Sequence, residues 1–209
     1  MVNWKSSLYL ILFFSLWGCG PEPYVVDVGL TNGSSTGRHS VYRMTVTTVS
    51  GGKVNFAMGA ISGYPGAHSS GGRMDAPAYI EGEWDEGWGW KDDETSSMPY
   101  HRISAVIPKN AEAKMKVMDN YYKNFKPDYG SMQVIVDGPR VRVFYTKGCS
   151  ITLNDCTPKK NGDPNGWVVK DPKGTRDIVV LFDGVGESSS TPFPDTHFSE
   201  LESRKKANQ

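Results

Sequence analysis

The chain of 209 residues carries 23 basic and 23 acidic side chains and is formally neutral at pH 7. That balance excludes the broad basic surface by which nucleic acids are held, and the length suits one domain with a sizeable core. Twenty-three glycines and ten tyrosines, with abundant Val and Thr, favour short strands joined by turns.

The N-terminus has one positive charge, Lys5, before an apolar run from Leu8 to Leu16 that only Ser15 interrupts. A helix needs about 20 apolar residues to span a bilayer, so the run is too short to cross one. It has the length of a signal-peptide core, about 7–15 residues. Leu16-Trp17-Gly18-Cys19 follows and resembles a bacterial lipobox, with a small residue before the cysteine. Residues 1–18 are therefore expected to be a signal peptide and Cys19 the lipid-modified first residue of the mature chain, with 19–23 as a spacer. Two or more acyl chains tether a protein stably to a membrane without spanning it. Gly20 stands where lipoproteins retained in the inner membrane usually carry Asp, which points to the periplasmic face of the outer membrane.

With Cys19 acylated, Cys149 and Cys156 remain as a pair. In an exported chain they are expected to form a disulfide, and closing so short a loop stabilises by about 2–3 kcal/mol. A zinc site is not expected, because no His lies near them in sequence and tetrahedral zinc takes four ligands.

Tyr24 to Leu30 reads as a first strand, and Asn32 to Gly37 as a polar turn. Val41 to Val49 is β-rich, with Tyr42, Met44 and Val46 assigned to one face. Ser50-Gly51-Gly52-Lys53 turns the chain into a returning strand in which Val54, Phe56, Met58 and Ala60 alternate. Ser62 to Ala76 is rich in Gly and Ser and reads as a long loop. Ala78, Ile80, Gly82 and Trp84 alternate with Tyr79, Glu81, Glu83 and Asp85, which predicts a strand, and Tyr100 to Ile107 predicts another. Pro108 opens a predicted helix over Asn110 to Phe125, with Ala111, Met115, Met118, Tyr122 and Phe125 on its apolar stripe. Met132, Val134 and Val136 lead through an Asp137-Gly138 turn to Val141, Val143 and Tyr145, a second hairpin. Trp167 to Lys170 and Ile178 to Phe182 are further strand candidates. The expectation is a β-rich α+β fold: a single antiparallel sheet or sandwich-like domain over 24–184 with one amphipathic helix. The Ser-, Pro- and charge-rich residues 185–209 are expected to be a flexible tail.

The sequence holds no G-x-S-x-G, H-E-x-x-H or P-loop. Its four histidines, His39, His68, His101 and His197, are scattered, and no catalytic site, metal or cofactor is expected. His68 beside Ser69 and Ser70 lacks any oxyanion signature. Asn161-x-Asp163-x-Asn165-Gly166 imitates the front of a calcium loop, but Pro172 falls where its closing carboxylate is needed, so turn chemistry explains it better. The densest chemistry lies in Trp84, Asp85, Glu86, Trp88, Trp90, Asp92 and Asp93. As carboxylates for glycoside hydrolysis these acids lack environments that would separate their pKa values. As a protein-binding patch they combine aromatic anchors with charges that steer a basic partner.

Together the lipobox, Pro77-x-x-Ile80-x-x-x-Trp84, Tyr100-x-Arg102-x-x-x-x-Ile107-Pro108 and Val141-Arg142-Val143-Phe144 resemble a group of uncharacterised Gram-negative lipoproteins, over roughly residues 24–146. Some of that group lie beside type VI secretion effectors and act as periplasmic immunity proteins. The resemblance implies a membrane-tethered protein that neutralises a toxin by binding it; it supplies no functional residues. The alternatives from sequence are a structural or assembly lipoprotein of the envelope and a glycan-acting enzyme.

Overall fold

The computed structural model describes residues 24–56, 59–87, 99–125, 129–149 and 156–208. Residues 1–23, which include the expected signal peptide and Cys19 with its spacer, and Trp88, Trp90, Asp92 and Asp93 lie outside the described residues. In chain order the elements are β1 (Val25–Gly33), β2 (His39–Thr48), β3 (Lys53–Asn55), β4 (Gly59–Ile61), β5 (His68–Asp75), β6 (Pro77–Glu86), β7 (Tyr100–Val106), helix α1 (Ala111–Asp119), β8 (Gly130–Asp137), β9 (Arg140–Thr146), β10 (Val168–Lys170), β11 (Asp177–Val185), β12 (Glu187–Ser189) and helix α2 (His197–Ala207).

The fold is β-rich, as the composition predicts; among the described residues it holds two sheets, which corrects the single-sheet alternative of the expectation but not the sandwich-like one, and two helices where one was expected. The first sheet has the order β10-β11-β9-β8-β1-β5 and the second β12-β7-β6-β2-β3, with β4 also paired to β2. The first sheet is not wholly antiparallel: β1 and β8 run parallel, from Val28 beside Gly130 to Gly33 beside Ile135. Parallel neighbours need a long connection; here it contains the strands β2 to β7 and α1.

One apolar cluster joins the sheets. It takes Val28, Met132, Val134, Val143 and Leu181 from the first and Met44, Val46, Ile80, Trp84 and Ile103 from the second. Ala111, Met115 and Met118 of α1 complete it, as the helical stripe predicts. The helix stops at Asp119, short of the expected Phe125; Tyr122 is buried beyond its end and bridges to Pro158. A second cluster covers the other face of the first sheet, where Tyr64 packs on Ile135, Phe144 and Ile178 and donates a hydrogen bond to Gln133 Oε1 at 2.8 Å. Cys149 and Cys156 form a disulfide.

Three expectations are corrected. The register of β2 shifts between Val41 and Arg43, a bulge that changes the strand's parity. Val41 and Met44 therefore point inward and Tyr42 outward, 48% exposed. The Gly- and Ser-rich stretch read as a loop contains β5, paired along β1. Its backbone runs so close to its neighbour that a Cβ on Gly71 would lie 1.4 Å from the Val28 carbonyl oxygen, so the glycine is a condition of the pairing. The segment read as a tail contains β12 and α2. Thr196 and Ser199 form a capping box on α2, and His197 stacks on Tyr42 with ring centroids 3.4 Å apart. The buried Glu83 carboxylate accepts from the His197 N–H at 3.3 Å, a charge suited to a helix N-terminus.

The strands give the domain two poles. At one pole β1 begins and β2, β5 and β7 end: Ser50 N–H donates to Asp75 Oδ2 at 2.7 Å, and Val49 N–H to the Ala76 carbonyl at 2.9 Å. At the other pole β1 ends, β2 begins and the β8–β9 hairpin turns. Nine residues of β1 separate the poles by roughly 26 Å.

At this second pole the hairpin turn is clamped by the opposite sheet. Gly138 N–H donates to His39 Nε2 at 3.0 Å, and Trp84 Nε1–H donates to the Gly138 carbonyl at 2.8 Å. Gly138 has φ +56°, the left-handed region that a D-G hairpin turn requires. Replacing Trp84 by Phe preserves most of the ring but strands the Gly138 carbonyl. Urea unfolding should show a loss of about 1–3 kcal/mol; an unchanged midpoint would mean that the bond contributes nothing.

Candidate functional site

The clamped pole gathers a set of titratable and polar side chains. β2 and β6 pair His39 with Glu86, and β6 and β7 pair Trp84 with His101. β12 then places Ser188 opposite His101. Because cross-strand neighbours share a face, these pairings bring two histidines, a carboxylate and a hydroxyl to one end of the domain.

His101 is 2% exposed and uses both ring nitrogens: Nδ1 lies 2.9 Å from Ser188 Oγ and Nε2 lies 3.0 Å from Glu86 Oε1. The Glu86 side chain is 40% exposed and reaches the surface. His39 is 3% exposed, and with Nε2 accepting from Gly138 its ring must be neutral. Burial lowers its pKa from the ordinary 6.5, opposed by the nearby Glu86 and Asp137 carboxylates and assisted by His101.

The rim is ordered by Asp137. It accepts from the Ser35 and Thr36 N–H groups at 2.6 and 3.2 Å and pairs with the Arg142 guanidinium. Burial opposes its ionisation, but the hydrogen bonds from Ser35 and Arg142 outweigh burial and hold the carboxyl below the usual carboxylate range. Between this rim and Glu86 opens a cavity of about 580 Å³, lined by Thr36, Gly37, Arg38 and Gly87 as well as His39 and Gly138. The next residue after Gly87 is Trp88, and the Glu86 N–H donates to the Pro99 carbonyl at 3.2 Å. Both flanks of segment 88–98 therefore lie at this pole.

Of the described residues in the expected protein-binding patch, only Glu86 reaches the surface. Trp84 is fully buried and Asp85 is 7% exposed, accepting from the Ser40 N–H at 3.3 Å. They are part of the support beneath the pole, not contact residues upon it. Trp88, Trp90, Asp92 and Asp93 fall outside the described residues. The sequence reading missed His39, His101 and Ser188, since their meeting depends on strand register. The Asp137-Gly138 turn was the one local signal that marked this place. Asp163 accepts from the Trp167 and Val168 N–H groups at 2.9 and 2.8 Å, the turn chemistry expected of its segment. Among the described residues, no three His, Cys, Asp or Glu side chains gather as a metal site would require.

No protein-family model matches the chain, and no curated protein or solved structure is significantly similar to it.

The neutral His39 ring makes a pH prediction. As pH falls, the unfolded chain takes up the proton first, near 6.5, while the folded ring resists until its lower pKa is reached. The contribution of His39 to stability is therefore complete above about pH 6.5 and is lost progressively on acidification below it. His39→Gln, which keeps an acceptor but does not titrate, should lose less stability than the wild type between pH 7.5 and 5 in urea unfolding. Equal losses would remove His39 as the source. His39→Ala should cost about 1–3 kcal/mol at pH 7.5.

Proposed function

We propose that the protein is a lipoprotein anchored through Cys19 at the periplasmic face of the outer membrane, where it binds a protein partner, as an immunity protein neutralises a secreted toxin. The observation that carries this reading is the separation of the poles. The chain comes into the fold at Tyr24–Val25, five residues after Cys19, whereas Glu86 and the flanks of the Trp- and acid-rich segment lie at the opposite end. An anchor at one pole leaves the other to project into the periplasm. Glu86, Asp92 and Asp93 would steer a basic partner, and Trp88 and Trp90 would supply aromatic anchors. Neutralisation by occlusion needs an interface of ordinary size, on the order of 1,600 Å² in total. A structural or assembly role in the envelope differs in one respect: deletion would then weaken the envelope with no toxin present.

The test is capture from detergent-solubilised envelopes with the neighbouring gene's product supplied as bait. Asp92→Lys with Asp93→Lys should slow association about tenfold. Failure to recover any partner, or charge reversal without effect, would contradict the reading.

One observation favours a second reading, hydrolysis. With Nε2–H donating to Glu86, His101 Nδ1 is placed to accept from the exposed Ser188 hydroxyl, the order of a nucleophile, its base and an orienting carboxylate. A fluorophosphonate probe should then modify Ser188 in the wild type and not in His101→Gln. An unmodified Ser188 would reduce the relay to a cross-strand polar pair.

A further inference from the structure

A groove at the pole where the chain comes into the fold has no part in the site described above. It has a volume of about 390 Å³; Val49, Ala76, Pro77, Val106 and Ile107 give it apolar walls, and its charged lining is Lys109 and Glu112, the latter paired with Lys116. Val49 and Val106 are 67% and 71% exposed. Single exposed valines are ordinary on a protein surface, but these two share one depression. Strand pairing brings them together, because Thr48 lies beside Pro77 and Tyr79 beside Val106.

The position of the N-terminus indicates what covers this groove. Val25, the first residue of β1, pairs with Asp75, the residue before Ala76 in the groove wall. Tyr24 is fixed in place: its hydroxyl donates to Asp119 Oδ2 at 2.5 Å, and Lys116 Nζ sits 5.1 Å from its ring centroid. Only residues 20–23 lie between it and Cys19, a reach of about 17 Å even when fully extended. A lipid on Cys19 therefore holds this pole against the membrane surface, at an effective concentration so high that a weak apolar contact suffices to engage it.

We infer that the groove is a bilayer-contacting surface, in which Val49 and Val106 enter the boundary between headgroups and acyl chains while Lys109 faces phospholipid phosphates. The inference rests on the lipid-anchor reading of the proposed function. It makes the tether an orienting device, since a domain seated on this pole directs Glu86 and the cavity beside it away from the membrane.

The test uses the full-length lipoprotein reconstituted in phosphatidylethanolamine–phosphatidylglycerol vesicles. Nitroxides are placed singly at Val49→Cys, Val106→Cys and Val185→Cys, the last a valine 72% exposed at the opposite pole. The mass of the N-terminal peptide is read first, and an unacylated Cys19 overturns both the anchor and the inference. With Cys19 acylated, labels at 49 and 106 should relax with oxygen and be shielded from a water-soluble nickel chelate, and the label at 185 should show the inverse. If all three respond to nickel alike, the anchor stands and the bilayer contact is overturned. Labels at 49 and 106 shielded from both reagents would mean that residues 20–23 fill the groove, which also overturns it.

Discussion

The backbone of Gly138 is gripped on both sides by the sheet it does not belong to. Its N–H reaches His39 on β2 and its carbonyl receives the Trp84 indole from β6. Between the poles the sheets are joined largely by apolar contact, which is strong but not directional, and at the far pole by the bonds of Ser50 to Asp75 and Val49 to Ala76. The two bonds at Gly138 are directional, and they make demands on three residues at once. Gly138 must tolerate a left-handed backbone, His39 must stay neutral, and position 84 must offer a ring N–H from inside the core. The carbonyl of the next residue, Pro139, accepts from Gly186 N–H at 2.7 Å, so the start of β12 is tied to the same turn. The row of Glu86, His101 and Ser188 lies beside that turn, set by the pairing of β6, β7 and β12.

What could be read from the sequence were the elements with a clean apolar spacing. Met132, Val134 and Val136 alternate in β8 and Val141, Val143 and Tyr145 in β9, although Ile135 and Phe144 on the other face are buried as well, and α1 buries Ala111, Met115 and Met118 at helical spacing. Cys149 and Cys156 close the disulfide expected of them. The misses have equally physical causes. A single bulge reversed the inward and outward residues around Tyr42, which no local pattern announces. β5 lacks an apolar alternation because its place in the sheet rests on backbone approach to β1, which glycine permits and side chains do not specify. α2 buries none of its residues; it is held at its first turn by Tyr42, Glu83 and a capping box, so hydrophobic periodicity had nothing to detect.

The acid- and Trp-rich stretch shows how partial such a reading is. Its chemistry was visible as composition, but the division between support and surface was not. Trp84 and Asp85 belong to the interior, while Glu86, next in the chain, reaches solvent. Histidines far apart in sequence become neighbours because β2, β6, β7 and β12 lie side by side. The same strand directions separate the chain's first described residues from the cavity beside Glu86, and from this polarity the functional reading is built.

The clamp on Gly138 is tested most directly by nitrogen NMR of the histidine rings together with amide exchange at neutral pH. His39 should be neutral with a bare, hydrogen-bond-accepting Nε2, and the Gly138 amide should exchange as slowly as the core strands. A protonated Nε2, or a Gly138 amide exchanging as fast as an exposed turn, would contradict it.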